Sequence, residues 1–276
     1  MKFLIDVVGL TAVVVWLRFF CSDDNLKPEL TGICIGLTFS IFAQAILWLK
    51  ENRQNLKIWV QSFSPCYSKP EIRLSIAYLF RIEHHGKYLL VRNARDQNHA
   101  FQPVGGVYKY YPGEARKDFE CIGILPDGNM TIDDGSNADL RVHLNHRRKL
   151  PTFLGWFAKM EDREIDPWRE FYEELVSPGI LPTEVFPHIQ YKKIGTHRTG
   201  IQPSQKFKMD EFLLAEIFEL LPNPAQRENL KDLQAGGHPD IIWATRDEIL
   251  LGRQGNNTIL PHAKKLFEYQ ISNHNS

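Results

Sequence analysis

The sequence lacks a net charge, because its 33 basic residues equal its 33 acidic residues. A chain without excess positive charge has no general affinity for polyanions, so a nucleic acid duplex is not expected as a partner. Cysteine is scarce, with four residues in 276, and these form neither a CxxC pair nor another metal-ligand spacing. We therefore expect reduced thiols in packed positions, as in a cytoplasmic domain.

Charged residues are also scarce in residues 1–50. The run from Phe3 to Phe20 is interrupted by only two charges, and the run from Leu30 to Leu49 has none. About 20 apolar helical residues match the hydrocarbon thickness of a bilayer. The pattern predicts two transmembrane helices in residues 1–50, followed by a connector, residues 51–71. Basic residues flank the pair and acidic residues lie between the two runs, which predicts that both termini are cytoplasmic.

Residues 72–276 alternate between the periodicities of strands and helices, which predicts a mixed α+β domain. Runs of β-branched and aromatic residues predict strands at Arg73 to Glu83, Tyr88 to Arg92, Phe212 to Leu220 and Ile241 to Ala244. The first two of these runs are expected to form a hairpin. The apolar spacing from Thr258 to Ile271 predicts a C-terminal helix.

A further helix is predicted to begin at Asp166-Pro167 and to end at Ser177-Pro178-Gly179. It carries Glu170, Glu173 and Glu174, whose spacing of three and four residues can bring all three carboxylates to one side. Carboxylate oxygens in this arrangement suit Mg²⁺. Solvated glutamates with no function are the alternative interpretation.

The segment from Arg169 to Glu174, Arg-Glu-Phe-Tyr-Glu-Glu, resembles the core of the Nudix box. Two alignments upstream of it are open. Gly155 and Glu161 stand at the expected spacings before Arg169, whereas Gly105-Gly106, after Phe-Gln-Pro-Val, resembles the Nudix glycine pair that ends a strand. We favour the glycine pair because of its strand context, which makes residues of about 110–155 an insertion.

The resemblance implies a Nudix-like sandwich of mixed sheets over residues 72–276. It implies that Glu170, Glu173 and Glu174 are metal ligands, and that they are catalytic if the domain is a hydrolase. Val176 stands in place of the box glycine, and the insertion disturbs the catalytic loop. These departures favour a domain that binds a nucleotide diphosphate-like group over an enzyme that cleaves it, with Mg²⁺ as the one cofactor to be considered.

Two membrane helices fused to such a domain resemble the membrane effectors of bacterial cyclic-oligonucleotide antiphage systems (CBASS). The resemblance implies a multi-pass protein of the bacterial cell inner membrane, whose Nudix-like domain senses a cyclic oligonucleotide. The activated chain is expected to form a homo-oligomer that disrupts the inner-membrane lipid and causes abortive infection. Expected ligand contacts are Arg92, Arg95, Gly105, Gly106, Tyr108, His197, Arg198 and Lys206.

Two other functions remain open from the sequence. One is a membrane-anchored, Mg²⁺-dependent Nudix hydrolase of a nucleoside diphosphate derivative. The other is a membrane-tethered scaffold that binds a protein partner and leaves its glutamates in solvent.

Overall fold

The computed structural model describes residues 39–40, 42–47, 53–65, 69–93, 99–126, 138–204 and 207–271. The chain divides into two compact units, Met1–Val60 and Gln61–Ser276, and each is described by itself. The division falls within the predicted connector.

In the first unit, residues 42–47 are helical, and the side chains of Phe42 and Leu47 are exposed. Apart from these and residues 39–40, the predicted segments from Phe3 to Phe20 and from Leu30 to Leu49 lie outside the described residues. A membrane crossing takes about 20 apolar helical residues. Within the described ranges, no helix combines that length with that apolar character. This finding contradicts the predicted location as a multi-pass protein of an inner membrane, and that prediction is therefore withdrawn.

The helices of the described chain are α1 (Arg53–Phe63), α2 (Pro112–Ile122), α3 (Leu150–Lys159), α4 (Trp168–Phe171), α5 (Pro224–Gly236) and α6 (Arg246–Leu251). α4 continues as a π-helical turn, Tyr172–Val176, and 3₁₀ turns occupy Arg147–Lys149 and Pro261–Leu266. The strands are β1 (Ile72–Arg81), β2 (Glu83–His84), β3 (Lys87–Arg92), β4 (Phe101–Pro103), β5 (Gly105–Val107), β6 (Ile124–Pro126), β7 (Arg141–Leu144), β8 (Tyr191–Arg198), β9 (Gln202–Pro203), β10 (Asp210–Leu220), β11 (Ile241–Thr245), β12 (Arg253–Gln254), β13 (Asn257–Thr258) and β14 (Gln270–Ile271).

Most of the strands form two sheets. The larger sheet has the order β14-β8-β10-β1-β7-β6, with β5 also paired to β1 and β9 to β10. β1 and β10 are parallel, with Ile72 opposite Asp210, whereas the other pairs of this sheet are antiparallel. The smaller sheet has the order β11-β3-β2, with β4 beside β3. These mixed sheets and their helices confirm the predicted α+β class.

The larger sheet is covered on both faces. Successive residues of β1 point to opposite sides of the sheet, and residues on both sides are buried. On one side, Leu79 belongs to a buried cluster with Leu90 and Ala244 of the smaller sheet. On the other side, the ring of Phe80 lies 5.4 Å from that of Phe171 in α4. The sheet therefore separates a core between the two sheets from a second core beneath α4.

The predicted strands are confirmed as β1, β3, β10 and β11, although β1 pairs with β10 and β3 forms its hairpin with β2. The prediction of a helix from Thr258 to Ile271 is wrong. Its apolar residues Leu260, Ala263 and Leu266 recur every three positions, which suits a 3₁₀ turn as well as an α-helix. Residues in the predicted insertion form α2, β6 and β7, and β7 pairs with β1.

The packing of α4 gives a test of the fold. Phe171→Ala removes a ring that is fully buried against Phe80, so we expect a loss of about 3–5 kcal/mol in the free energy of unfolding. Tyr172→Ala is the matched control. Tyr172 is adjacent to Phe171 and is 42% exposed, so the loss of its ring should cost about 1 kcal/mol or less. Urea unfolding of both variants measures the difference, and equal losses would contradict the placement of α4.

Candidate functional site

The glutamate-bearing helix is fixed at its start and at its end. The Asp166 carboxylate accepts a hydrogen bond from the Trp168 amide at 2.9 Å, as the predicted helix start requires. At the other end, the Ser177 amide donates to the Tyr172 carbonyl at 2.7 Å, five residues back, which closes the π-helical turn. Since Phe171 anchors the apolar side in the core, the glutamates lie on the remaining surface of the helix.

The glycine pair lies directly against this helix. The Gly105 amide donates to Glu174 Oε2 at 2.8 Å. Gly105 has a φ of 141°, and a Cβ at this position would collide with the Tyr78 carbonyl. A Cβ on Gly106 would collide with the Glu170 carboxylate. Glycine is therefore required at position 105 for β5 to lie against β1, and a side chain at position 106 would displace the Glu170 carboxylate. Gly155, from the other alignment, lies within α3.

Arg169 joins the carboxylates of the site. Its Nε donates to Glu164 Oε1 at 2.9 Å, and its Nη1 donates to Glu170 Oε1 at 2.7 Å and to Glu173 Oε2 at 3.3 Å. Its Nη2 donates to the Val107 carbonyl at 3.1 Å. Burial lowers the pKa of Arg169, but its hydrogen bonds to Glu164 and the surrounding negative charge outweigh burial and raise the pKa above its usual value. The guanidinium is the counter-ion of this acidic cluster.

Glu174 has a different environment from the other two glutamates. Burial raises the pKa of its carboxyl group to about 8, against the hydrogen bonds from the Gly105 amide and from Gln102 Nε2 at 3.3 Å. The nearby charge of Glu170 raises this pKa further. Glu174 therefore holds β4 and β5 against the helix rather than facing open solvent.

A cleft of about 860 Å³ opens beside these residues. Its floor follows β1 and β10, through Ser75, Ala77, Leu79 and Ala215. Its polar and charged lining is contributed by Arg92, Asn93, Gln102, Asp139, Arg141, Arg169, Glu170, Glu173, Glu174, Asp240, His262 and Lys265. Since basic, acidic and amide side chains all line it, the cleft suits a ligand that has both anionic and neutral polar parts.

The cleft contains some of the predicted site residues and not others. Glu170, Glu173 and Glu174 line it together with three predicted ligand contacts, namely Arg92, Gly105 and Gly106. Tyr108 lies instead in the core, 1% exposed, where its hydroxyl donates to Glu216 Oε2 at 2.5 Å. His197 and Arg198 lie on β8, opposite Ala215 and Leu214 of the lining, but do not line the cleft themselves. Arg95 and Lys206 are outside the described residues.

Five charged or titratable residues of the lining were missed by sequence reasoning, and one of them is Asp240, the partner of Arg92. Asp139 and Arg141 lie in the predicted insertion and form an ion pair at 3.0 Å. Burial raises the pKa of Asp139 to about 6, although Arg141 lowers it. His262 and Lys265 lie on the turn that was predicted to be an α-helix. Only their polarity at apolar-flanked positions distinguishes them in the sequence.

Several carboxylate oxygens of the three glutamates already have hydrogen-bond partners. One oxygen each of Glu170 and Glu173 accepts from Arg169, and the two oxygens of Glu174 accept from Gln102 and from the Gly105 amide. In the part of the chain that the structure describes, no group of three His, Cys, Asp or Glu side chains is placed to hold a metal ion. The predicted metal-ligand roles of the three glutamates therefore remain predictions.

A glutamate-bearing helix packed on a glycine pair, within an α+β domain of mixed sheets, defines a Nudix-like domain. The chain belongs to the SMODS-associated NUDIX domain family, whose model matches residues 71–267. It therefore carries a Nudix-like domain of a kind found in defence-associated proteins. No curated protein matches the chain.

Among solved structures, the chain is similar to the solution structure of the E. coli ORF135 protein. The two are 11% identical, over 65% of this chain and 79% of that one. The TM-score is 0.24, so the likeness carries no argument about the fold or the function.

The raised pKa of Glu174 predicts a specific dependence of stability on pH. The folded protein retains a proton that the unfolded chain releases above about 4.5, so this carboxyl group destabilises the fold as pH rises toward 8. Glu174→Gln cannot titrate. We expect its free energy of unfolding, relative to the original protein, to rise by roughly 2–4 kcal/mol between about pH 5 and about pH 8.

Denaturant unfolding at several pH values measures this difference. Glu120→Gln, on the exposed surface of α2, is the control and should show no such trend. If the stability of Glu174→Gln relative to the original protein stays constant or falls as pH rises, the raised pKa of Glu174 is refuted.

Proposed function

We propose that the chain takes part in antiphage defence signalling and that its cleft binds a cyclic oligonucleotide second messenger. Membership of the SMODS-associated NUDIX domain family supports the defence role. The cleft carries the ligand part of the proposal, because its volume of about 860 Å³ lies within the range of small-molecule sites, about 300–1,000 Å³.

The lining supports a nucleotide-type ligand. Arginine and lysine side chains make strong, charge-assisted hydrogen bonds to phosphate oxygens, and Arg92, Arg141 and Lys265 all line the cleft. Asn93 and Gln102 also line it, with the Asn93 amide donating to Gln102 Oε1 at 2.9 Å. Side-chain amides have both donors and acceptors and can read the edge of a base.

The contacts of the glutamates support binding without cleavage. A hydrolase of the predicted alternative type needs ionised carboxylates that are free to bind a metal. Arg169 is hydrogen-bonded to one oxygen of Glu170 and one of Glu173, and Glu174 is hydrogen-bonded to Gln102 on β4 and to Gly105 on β5. These contacts support a structural role of the acidic cluster in the cleft wall.

Binding must be coupled to a change of state if the ligand is a signal. A ligand shifts an equilibrium only as far as it binds one state more tightly than the other. We propose that the favoured state is a homo-oligomer, so that the messenger promotes assembly of the chain.

A ligand panel tests the proposal on the full chain. Cyclic di-AMP, cyclic di-GMP and cyclic tri-AMP, together with nucleoside diphosphate derivatives, are added with and without Mg²⁺. Bound ligand raises the melting temperature by mass action, and light scattering reports assembly. We expect a cyclic oligonucleotide to stabilise the chain without being consumed. Protection by none of them, or Mg²⁺-dependent release of phosphate products from the diphosphates, would contradict the proposal.

Arg92 gives a residue-level test. Its Nε is 3.1 Å from Asp240 Oδ1 at the exposed edge of the cleft, so Arg92→Met should leave the fold intact. Loss of one charge-assisted hydrogen bond predicts an increase of about tenfold in the Kd of the cyclic oligonucleotide. Arg116→Met is the control, because Arg116 pairs with Glu120 on exposed α2 and should not affect binding. If both variants bind the cyclic oligonucleotide with equal affinity, Arg92 does not contact the ligand.

A further inference from the structure

The turn Pro261–Leu266 projects two basic side chains into the cleft. Ala263 and Leu266 are fully buried in the core between the sheets and anchor the turn. His262 and Lys265 line the cleft from the same turn and are each mostly buried. Their position is therefore set by packing rather than by a flexible surface loop.

The other basic groups of the cleft have acidic partners, whereas Lys265 does not. Arg92 pairs with Asp240 at 3.1 Å, Arg141 with Asp139 at 3.0 Å and Arg169 with Glu164 at 2.9 Å. The side chain of Lys265 makes no hydrogen bond or ion pair with another described residue.

The negative charge of Glu211 raises the pKa of Lys265, but less than burial lowers it. The Glu211 carboxylate itself forms an ion pair with Arg73 at 3.7 Å. The Lys265 ammonium is partly buried and has no hydrogen-bond partner among the described residues, so an anion is the group that this position lacks.

Glu211 and the glutamate-bearing helix lie at different ends of β1. Arg73 pairs in register with Glu211 near the start of the strand, and Leu79 pairs with Gly105, beside the glutamates, near its end. These positions are about 20 Å apart at roughly 3.3 Å per residue. The carboxylate that acts on Lys265 is therefore separate from the acidic cluster.

We propose that Lys265, assisted by His262, is a binding site for a phosphate group of the ligand, separate from the glutamate-bearing helix. This inference rests on the proposed function for the identity of the rest of the ligand. Burial lowers the pKa of Lys265, and burial together with Lys265 lowers the pKa of His262 to about 4. A bound phosphate supplies the missing negative charge and accepts hydrogen bonds from both side chains.

The test compares two adjacent lysines in the full chain. Lys265→Met removes the cation from the cleft, and Lys264→Met is the matched control on the same turn, outside the lining. Lys265→Arg keeps the charge. Binding of inorganic pyrophosphate and of cyclic di-AMP is measured by calorimetry, and the melting temperature is measured without ligand.

The expected result has two parts that a merely structural role would not combine. Lys265→Met weakens pyrophosphate binding at least about tenfold. It also raises the ligand-free melting temperature by about 2–4 °C, because the unpaired buried charge is gone. Lys264→Met changes neither quantity, and Lys265→Arg retains most of the affinity.

The outcomes separate this inference from the proposed function. If cyclic di-AMP or another nucleotide of the panel binds and Lys265→Met binds it equally well, the phosphate site is refuted and the proposed function stands. If pyrophosphate binds through Lys265 but no cyclic oligonucleotide binds, the site stands and the proposed function fails. Absence of all binding overturns both.

Discussion

The guanidinium of Arg169 is the interaction on which the site depends. It lies between Glu164, Glu170 and Glu173 and donates to the carbonyl of Val107 as well, so it links the loop before α4, the helix itself and β5. Without a cation there, carboxylates on adjacent helical turns would repel one another in a partly buried setting. The side chain that makes the acidic cluster tolerable takes one oxygen of Glu170 and one of Glu173.

This internal compensation changes what the cleft can recognise. A wall of free carboxylates would repel phosphate. Arg169 offsets part of the negative charge of Glu164, Glu170 and Glu173, and Lys265 supplies a positive charge elsewhere in the cleft for an anionic ligand. Gly105 and Gly106 allow the wall to form, because a side chain at position 105 would collide with β1 and one at position 106 would displace the Glu170 carboxylate.

Local patterns in the sequence were sufficient for the helix, for four strands and for the glycine pair. Asp166 marks the helix start through a hydrogen bond to a neighbouring amide, and such short-range rules depend little on the rest of the fold. The pairing of strands was harder to predict from the sequence. β1 pairs in parallel with β10, more than a hundred residues later, and nothing in either strand alone selects that partner over the neighbouring hairpin.

Burial explains why the ligand contacts were predicted less well than the carboxylates. Tyr108 follows β5 and Arg92 ends β3, and their positions at strand ends do not distinguish them in the sequence. In the fold, Tyr108 points toward Glu216 in the core and Arg92 lines the cleft. Lys265 shows the converse case. A lysine in an amphipathic stretch is normally solvated, and only the 3₁₀ geometry of its turn, which anchors Ala263 and Leu266 in the core, directs this one inward. The residue best placed to select an anion is thus determined by packing rather than by any motif.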